Sequence, residues 1–362
     1  MKSASLSDKY IVVMKNDASL FGMDVKGKSD KVKTKASGLL KKYEITGEVE
    51  NVYESALQGF AVRLSPGQVA KLEADGEVKS IEADQEVTID GKRSTKPAPT
   101  PTTTTTTTTT PSQNIPWGIT RVNGGVTYTG TSVVWVIDTG IDLTHPDLHV
   151  DASRGISFVY GVTSPNDDNG HGTHIAGTIA AINNGYGVIG VAAGATVIPV
   201  KVLSSTGCGS FADVLSGINY VAANGKPGDV VNLSIDGGAS PTIDNAIVTA
   251  SSVVKFAIAA GNQSDNAINY SPARAEGVNI YTVSAMASGD TWASFSNYGT
   301  PVDYCAPGVS IYSTYKGGGY ASMSGTSMAA PHVAGLLLLG NIITNGHVSN
   351  DPDGVADPIA SR

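Results

Sequence analysis

The chain has 362 residues, 41 % of them hydrophobic and 15 % charged, with a formal net charge of −8; this is long enough for two domains with a sizeable core. Residues 1–100 hold 16 of the 24 Lys+Arg and 15 of the 32 Asp+Glu, leaving 8 basic against 17 acidic side chains in residues 101–362, a balance that argues against nucleic acid as a partner. Two cysteines are too few for a disulfide framework, and no stretch reaches the ~18 consecutive apolar residues that span a bilayer.

Residues 1–10 lack the apolar centre of a secretory signal peptide, so an exported protein would have lost its targeting segment; a cytosolic protein is the alternative. Residues 9–15 read as a strand, 29–43 as a basic helix, and 47–53 and 59–64 as two further strands. Ser65-Pro-Gly-Gln supplies a cap, a first-turn proline and helical periodicity through residue 73, and residues 78–89 read as extended. The order β-α-β-β-α-β predicts a small ferredoxin-like α+β unit over 1–90. Residues 91–112, Pro-rich and then a run of nine threonines, have no hydrophobic period and cannot bury a core. They are expected to be a linker, plain spacer or glycosylated stalk.

In residues 113–362, four near-continuous apolar runs alternate with helical stretches: residues 133–137, 196–203, 229–235 and 255–260. Strands buried on both faces read this way. The alternation predicts a three-layer α/β domain around a parallel sheet, with active residues at the strand carboxyl ends.

Three segments carry the chemistry. Val136-Ile-Asp-Thr-Gly140 ends an apolar run on a carboxylate, Asn169-Gly-His-Gly-Thr-His174 opens a small-residue helix on an imidazole, and Gly325-Thr-Ser-Met-Ala-Ala-Pro-His332 places a hydroxyl at another helix start. A serine hydroxyl is a poor nucleophile at neutral pH. It needs an imidazole to take its proton and a carboxylate to fix that imidazole's tautomer, and Asp138, His171 and Ser327 form such a set. An esterase would use the same groups, but its elbow reads Gly-x-Ser-x-Gly and Gly325-Thr-Ser-Met-Ala329 does not. A non-enzymatic display scaffold is the other rival, disfavoured by the intact set. His145, His149, His174, His332 and His347 read as structural or solvated.

In the order Asp138, His171, Ser327 and in their flanking glycines, residues 113–346 resemble the subtilisin-like serine endopeptidases, near the proteinase K and bacterial alkaline protease branches. The resemblance implies a secreted, monomeric, calcium-binding protease acting on protein or peptide substrates, made as a zymogen whose N-terminal unit is both folding chaperone and inhibitor. It gives Asn262 of Ala259-Ala-Gly-Asn262 the role of oxyanion donor beside the Ser327 N–H. It aligns Ser234, Ile235, Asp236 and Gly237 with the strand that pairs with substrate and walls the primary pocket, and Gly207 and Gly209 with the opposing edge. The family commonly has Gly where this chain has Asp236; its carboxylate could favour Lys or Arg substrates, or point to solvent. The resemblance also implies a calcium site from Gln113, Asp147, Ile182, Asn184, Tyr186 and Val188, and a weaker cation site from Val278, Ile280 and Asp303. Cys208 is expected on the substrate rim and Cys305 in a buried strand, both as free thiols. The first maturation cut is expected between Asp90 and Thr95, and the acidic tail after Asp351 is expected to be solvated.

Overall fold

The computed structural model describes residues 6–89, 113–340 and 342–362. The linker and the expected cut after Asp90 lie outside them.

The N-terminal unit is a four-stranded antiparallel sheet in the order β2-β3-β1-β4, with β1 Lys9–Met14, β2 Val49–Tyr53, β3 Gly59–Arg63 and β4 Val78–Ala83. Helix α1, Val25–Lys42, starts where the Asp24 side chain accepts from the Gly27 N–H, and α2, Pro66–Glu73, starts on a reciprocal cap between Ser65 and Gln68. β1 is buried on both faces because two different neighbours cover it. Val12, Met14, Phe60 and Val62 face the unit's own helices, while Ile11, Val13, Tyr53 and Ala61 join the core of the larger domain. Burying a Val or Ile side chain contributes roughly 1.5–3 kcal/mol, so the second face is costly to expose without its partner. The expected extended segment 78–89 is split. β4 stays in the sheet, and β5, Glu86–Thr88, leaves it to pair with the larger domain.

The larger domain is built on a long, mostly parallel sheet. Its central strands are β6 Val134–Asp138, β7 Thr196–Lys201, β9 Val230–Leu233, β10 Lys255–Ala259, β11 Ile280–Ala287 and β12 Val302–Pro307, in spatial order β12-β11-β10-β9-β6-β7. The rim strand β8, Cys208–Ser210, lies outside this sheet. Helices α3, His171–Ala180, and α6, Thr326–Leu339, share one apolar core. Helices α4, Phe211–Asn224, and α5, Pro241–Ala250, share another with the N-terminal sheet. The hairpin β13–β14, Ile311–Tyr315 with Gly319–Met323, packs on α3.

The acidic tail departs from expectation. Strands β15, Ile343–His347, and β16, Pro358–Ser361, extend the main sheet beyond β12. Asp357 is buried rather than solvated, and its carboxylate accepts from the Ser284 hydroxyl at 2.6 Å. Among the described residues no helix is long and apolar enough to cross a membrane.

Candidate active site

Asp138 is the last residue of β6 and His171 the first of α3, so the fold brings together two side chains 33 positions apart. The His171 Nδ1 lies 2.8 Å from Asp138 Oδ1 and 3.0 Å from Oδ2, with both residues buried. The start of α3 is unusually well satisfied. Its first three N–H groups, which have no partner inside a helix, donate to Asn169 Oδ1, Thr139 Oγ1 and Asp167 Oδ2. The cap residue is Gly170, with φ +116° and a Tyr315 ring where a side chain would stand. α3 also runs so close to the Asp138 loop that a Cβ on Gly172 would collide with the Gly140 carbonyl.

Ser327 sits in the first turn of α6, one position inside Thr326; the cap is Gly325, not the serine. Its hydroxyl donates to the Ser234 carbonyl at 3.3 Å. The Asn262 carbonyl oxygen accepts from the Thr326 N–H at 2.8 Å and its hydroxyl at 3.1 Å. That fixes the side-chain amide with its NH2 outward. Among the described residues neither Asn262 Nδ2 nor the Ser327 N–H has an acceptor. Two unspent donors beside one hydroxyl make a receptor for negative charge on a reacting oxygen.

Both sequence-expected rims meet here, and a strand of the same chain lies between them. β5 pairs antiparallel with β8 in the register Cys208↔Thr88, Gly209↔Val87, Ser210↔Glu86. Its other edge exchanges Thr88 N–H and C=O with Asp236 at 3.2 Å each, and the Ile89 N–H donates to the Gly207 carbonyl at 3.2 Å. Val87 packs where a Cβ on Gly237 would meet it and Phe211. The N-terminal unit is thus held by β-augmentation on both edges of one strand.

Asp236 does not point to solvent. It is 5 % exposed, its Oδ2 accepts from Gln263 Nε2 at 2.5 Å, and it lies against Gly261 in the segment carrying Asn262. Polar caps tie the two units further: Asp84 Oδ1 accepts from the Ala212 N–H at the start of α4, and Glu82 Oε2 from the Thr242 N–H at the start of α5. Asn219 Oδ1 accepts from three consecutive N–H groups of Glu54, Ser55 and Ala56.

The residues expected to bind calcium also converge. Asp147 is fully buried and its described hydrogen-bond partners are neutral: Asn184 Nδ2 at 2.9 Å, the Val188 N–H at 3.0 Å and the Tyr320 hydroxyl at 3.1 Å. Burial pushes its carboxyl above the usual range. The Gln113 amide donates to the carbonyls of Ile182 at 2.6 Å and Val188 at 2.9 Å, and the Tyr186 N–H, in the same loop, donates to Asn184 Oδ1 at 2.8 Å. With the Gln113 and Asn184 amides turned to present their oxygens, these carbonyls and the buried carboxylate would make an all-oxygen set that suits a hard cation. At the second expected cation site, the Asp303 carboxylate accepts from the Thr282 N–H beside Ile280, and burial raises it to about 6.

Cys208 is on the rim strand and Cys305 is buried in β12, both as free thiols. His174 and His332 are buried, with burial lowering them to about 3 and about 4. Two groups escaped the sequence reading. Asp167 caps α3 from four residues before His171. Lys201, fully buried at the end of β7, donates to the Thr139 and Leu203 carbonyls and to Asp168. A lysine closing an apolar run and an acid four residues before a helical histidine were the available signals.

A family model described as the subtilase family matches residues 130–341, and one described as peptidase inhibitor I9 matches residues 9–90. The chain is 40 % identical over 328 residues to M-protease of Shouchella clausii (strain KSM-K16), covering 86 % of this chain and 78 % of that protein. It is 37 % identical over 353 residues to alkaline serine exoprotease A of Vibrio alginolyticus, 92 % of this chain and 60 % of that one. A crystal structure of a cold adapted subtilisin-like serine proteinase superposes with a TM-score of 0.60 at 36 % identity, covering 67 % of this chain and 96 % of the other. With the Asp138–His171 pair, the Ser327 helix and the inserted N-terminal strand, these matches lead to one conclusion: the chain is a serine protease of the subtilase family, carrying an I9-type propeptide.

Proposed function

We propose that the chain is a secreted, self-processing, calcium-stabilised endopeptidase in which Asp138, His171 and Ser327 form the triad. His171 takes the Ser327 proton, the alkoxide attacks the substrate carbonyl, and an acyl-enzyme forms that water resolves. Asp138 holds the imidazole with Nδ1 protonated and stabilises its cation. Asn262 Nδ2 and the Ser327 N–H take the oxyanion. Substrate lies between Gly207 and Gly209 on one side and Ser234, Ile235, Asp236 and Gly237 on the other.

The observation that carries this reading is β5, bound in the cleft as a substrate strand would be and ending its described course one residue beyond Thr88. It supports the N-terminal unit as product-like inhibitor, and the caps on α4 and α5 support its role as folding template. Gln113, Asp147, Asn184 and the carbonyls of Ile182, Tyr186 and Val188 would hold calcium, which supplies charge compensation for Asp147 and ties the N-terminus of the mature domain to the loop after α3.

The direct test is Ser327→Ala. Loss of the triad as a unit removes about 10⁶ in rate, and Ala fits a helix start, so the variant should keep a folded circular dichroism spectrum and a cooperative melting transition while peptidase activity vanishes. Activity within tenfold of the parent would sink the assignment.

A further inference from the structure

We propose that Asp167 is a positioning residue for the catalytic pair: one buried carboxylate that locks the Asp138 strand end to the His171 helix. The inference rests on the triad reading above.

Asp167 is 3 % exposed and lies on neither element it joins. Its Oδ1 accepts from the Thr139 hydroxyl at 2.9 Å, the Asn169 N–H at 3.0 Å and the Gly170 N–H at 2.8 Å. Its Oδ2 accepts from the Thr173 N–H at 2.9 Å and hydroxyl at 2.6 Å. Thr139 adjoins Asp138 and gives its own N–H to Asp138 Oδ1 at 2.7 Å. Gly170 adjoins His171. The clamp therefore grips the chain neighbour of each member of the pair.

Two further links close the bridge. Thr139 Oγ1, while donating to Asp167, accepts from the Gly172 N–H at 2.9 Å, so strand end and helix also touch directly. Thr173 Oγ1 accepts from the Asp142 N–H at 2.9 Å, which binds the loop after β6 to the same helix turn. On its other side Thr139 is fixed through its carbonyl by Lys201 Nζ at 2.5 Å. An acceptor-only group is required, because all five Asp167 bonds come from donors. An amide in its place would turn one oxygen into an NH2 facing N–H and hydroxyl donors.

A capping acid with a purely structural role stabilises α3 and leaves chemistry alone. A registering clamp sets the His171 orientation, where displacements of about 1 Å cost about 10²-fold in rate, and its charge favours the imidazolium formed during the reaction. The test is Asp167→Asn in the full chain, matured and counted by a covalent serine-directed phosphonate. The expected result is kcat per titrated site down by about tenfold or more, KM within about twofold, and the acid limb of kcat/KM moved to lower pH by about half a unit. A lowered melting temperature with kcat per site within twofold and the acid limb unmoved would reduce Asp167 to a cap and overturn the proposal.

Should Asp167→Asn fail to fold, Thr139→Val decides, since it cuts the link to the strand while leaving the Asp167 bonds to Gly170 and Thr173. It should lower kcat per site by about threefold or more with a parent-like circular dichroism spectrum; parent kcat overturns the clamp. Ser327→Ala, measured alongside, separates the two failures: activity retained there removes the triad reading, not the clamp alone.

Discussion

At the scale of single residues, reactivity depends on which hydrogen-bonding capacity is already used. The Asn262 oxygen is taken by Thr326 and its NH2 is left over; the start of α3 has its first donors satisfied, and the start of α6 keeps the Ser327 N–H. Asp236 stands where the family resemblance led a glycine to be expected. Its carboxylate turns into the cleft wall, pinned by Gln263, which in turn bonds Asn297 Nδ2 through Oε1 at 2.7 Å. A fixed negative charge beside the cleft should favour Lys or Arg at the cleaved position, since a cation there regains in Coulomb attraction part of its desolvation cost. Profiling cut sites in a peptide library should show Asp236→Gly losing about tenfold or more of its Lys/Arg preference over Leu and Phe. An identical profile would return Asp236 to a structural role. Asp138, His171 and Ser327 were legible because each sits where an apolar run meets small residues, a local pattern. The direction of the Asp236 carboxylate was not, because it is set by Gln263, 27 positions away.

At the scale of elements, the helices and strands of both units follow from caps and periodicity, but partners decide where strands go. Residues 78–89 read as one extended segment because nothing local marks the point after Ala83 where the chain leaves its own sheet. The edge offered by β8 and Asp236 draws β5 away. Residues 343–361 carry no apolar run, so their entry into the main sheet was hidden; it depends on β12 offering an open edge. The Gln113–Asp147–Asn184 site is likewise made of loop elements, gathered around a buried carboxylate with neutral partners, which is why a cation should matter. A ligand at about 100 times its Kd adds about 2.7 kcal/mol to native stability, or about 5–10 °C in melting temperature for a domain of this size. Prolonged chelation of the mature domain should produce that fall, and Asp147→Asn should abolish the response. A melting curve unchanged after dialysis sufficient to empty a tight site would remove calcium from the account.

At the scale of the molecule, the two units are joined by one apolar sheet face, two capped helices and an inserted strand, with a charged cluster at their contact. Lys9 Nζ lies 3.4 Å from Glu50 and 3.6 Å from Asp84, both on the N-terminal unit, facing Asp213 on α4. Burial raises Asp213 to about 6, with Lys9 opposing and Asp84 adding to the shift, and burial raises Asp84 as well. A carboxyl whose pKa rises on association takes up a proton as the units bind. Affinity for the cleaved propeptide should therefore be fullest below the ordinary Asp value of 3.8 and fall as pH rises through about 6. Inhibition constants for the isolated propeptide measured from pH 4 to 7 should weaken in that direction, and Asp213→Asn should flatten the curve. A constant that strengthens with pH would contradict the reading of this cluster.

The central claim is that the chain cuts itself with Ser327 while β5 lies in its own cleft. Mass determination and N-terminal sequencing of the purified chain beside Ser327→Ala test it most directly. The parent should separate into a propeptide and an enzyme beginning between Asp90 and Thr95, with the threonine tract left on the enzyme, while Ser327→Ala stays whole. A Ser327→Ala chain processed at the same bond as the parent, or a parent that remains uncut, would contradict the claim, and a first product starting at Ser112 or Gln113 would move the cut away from β5.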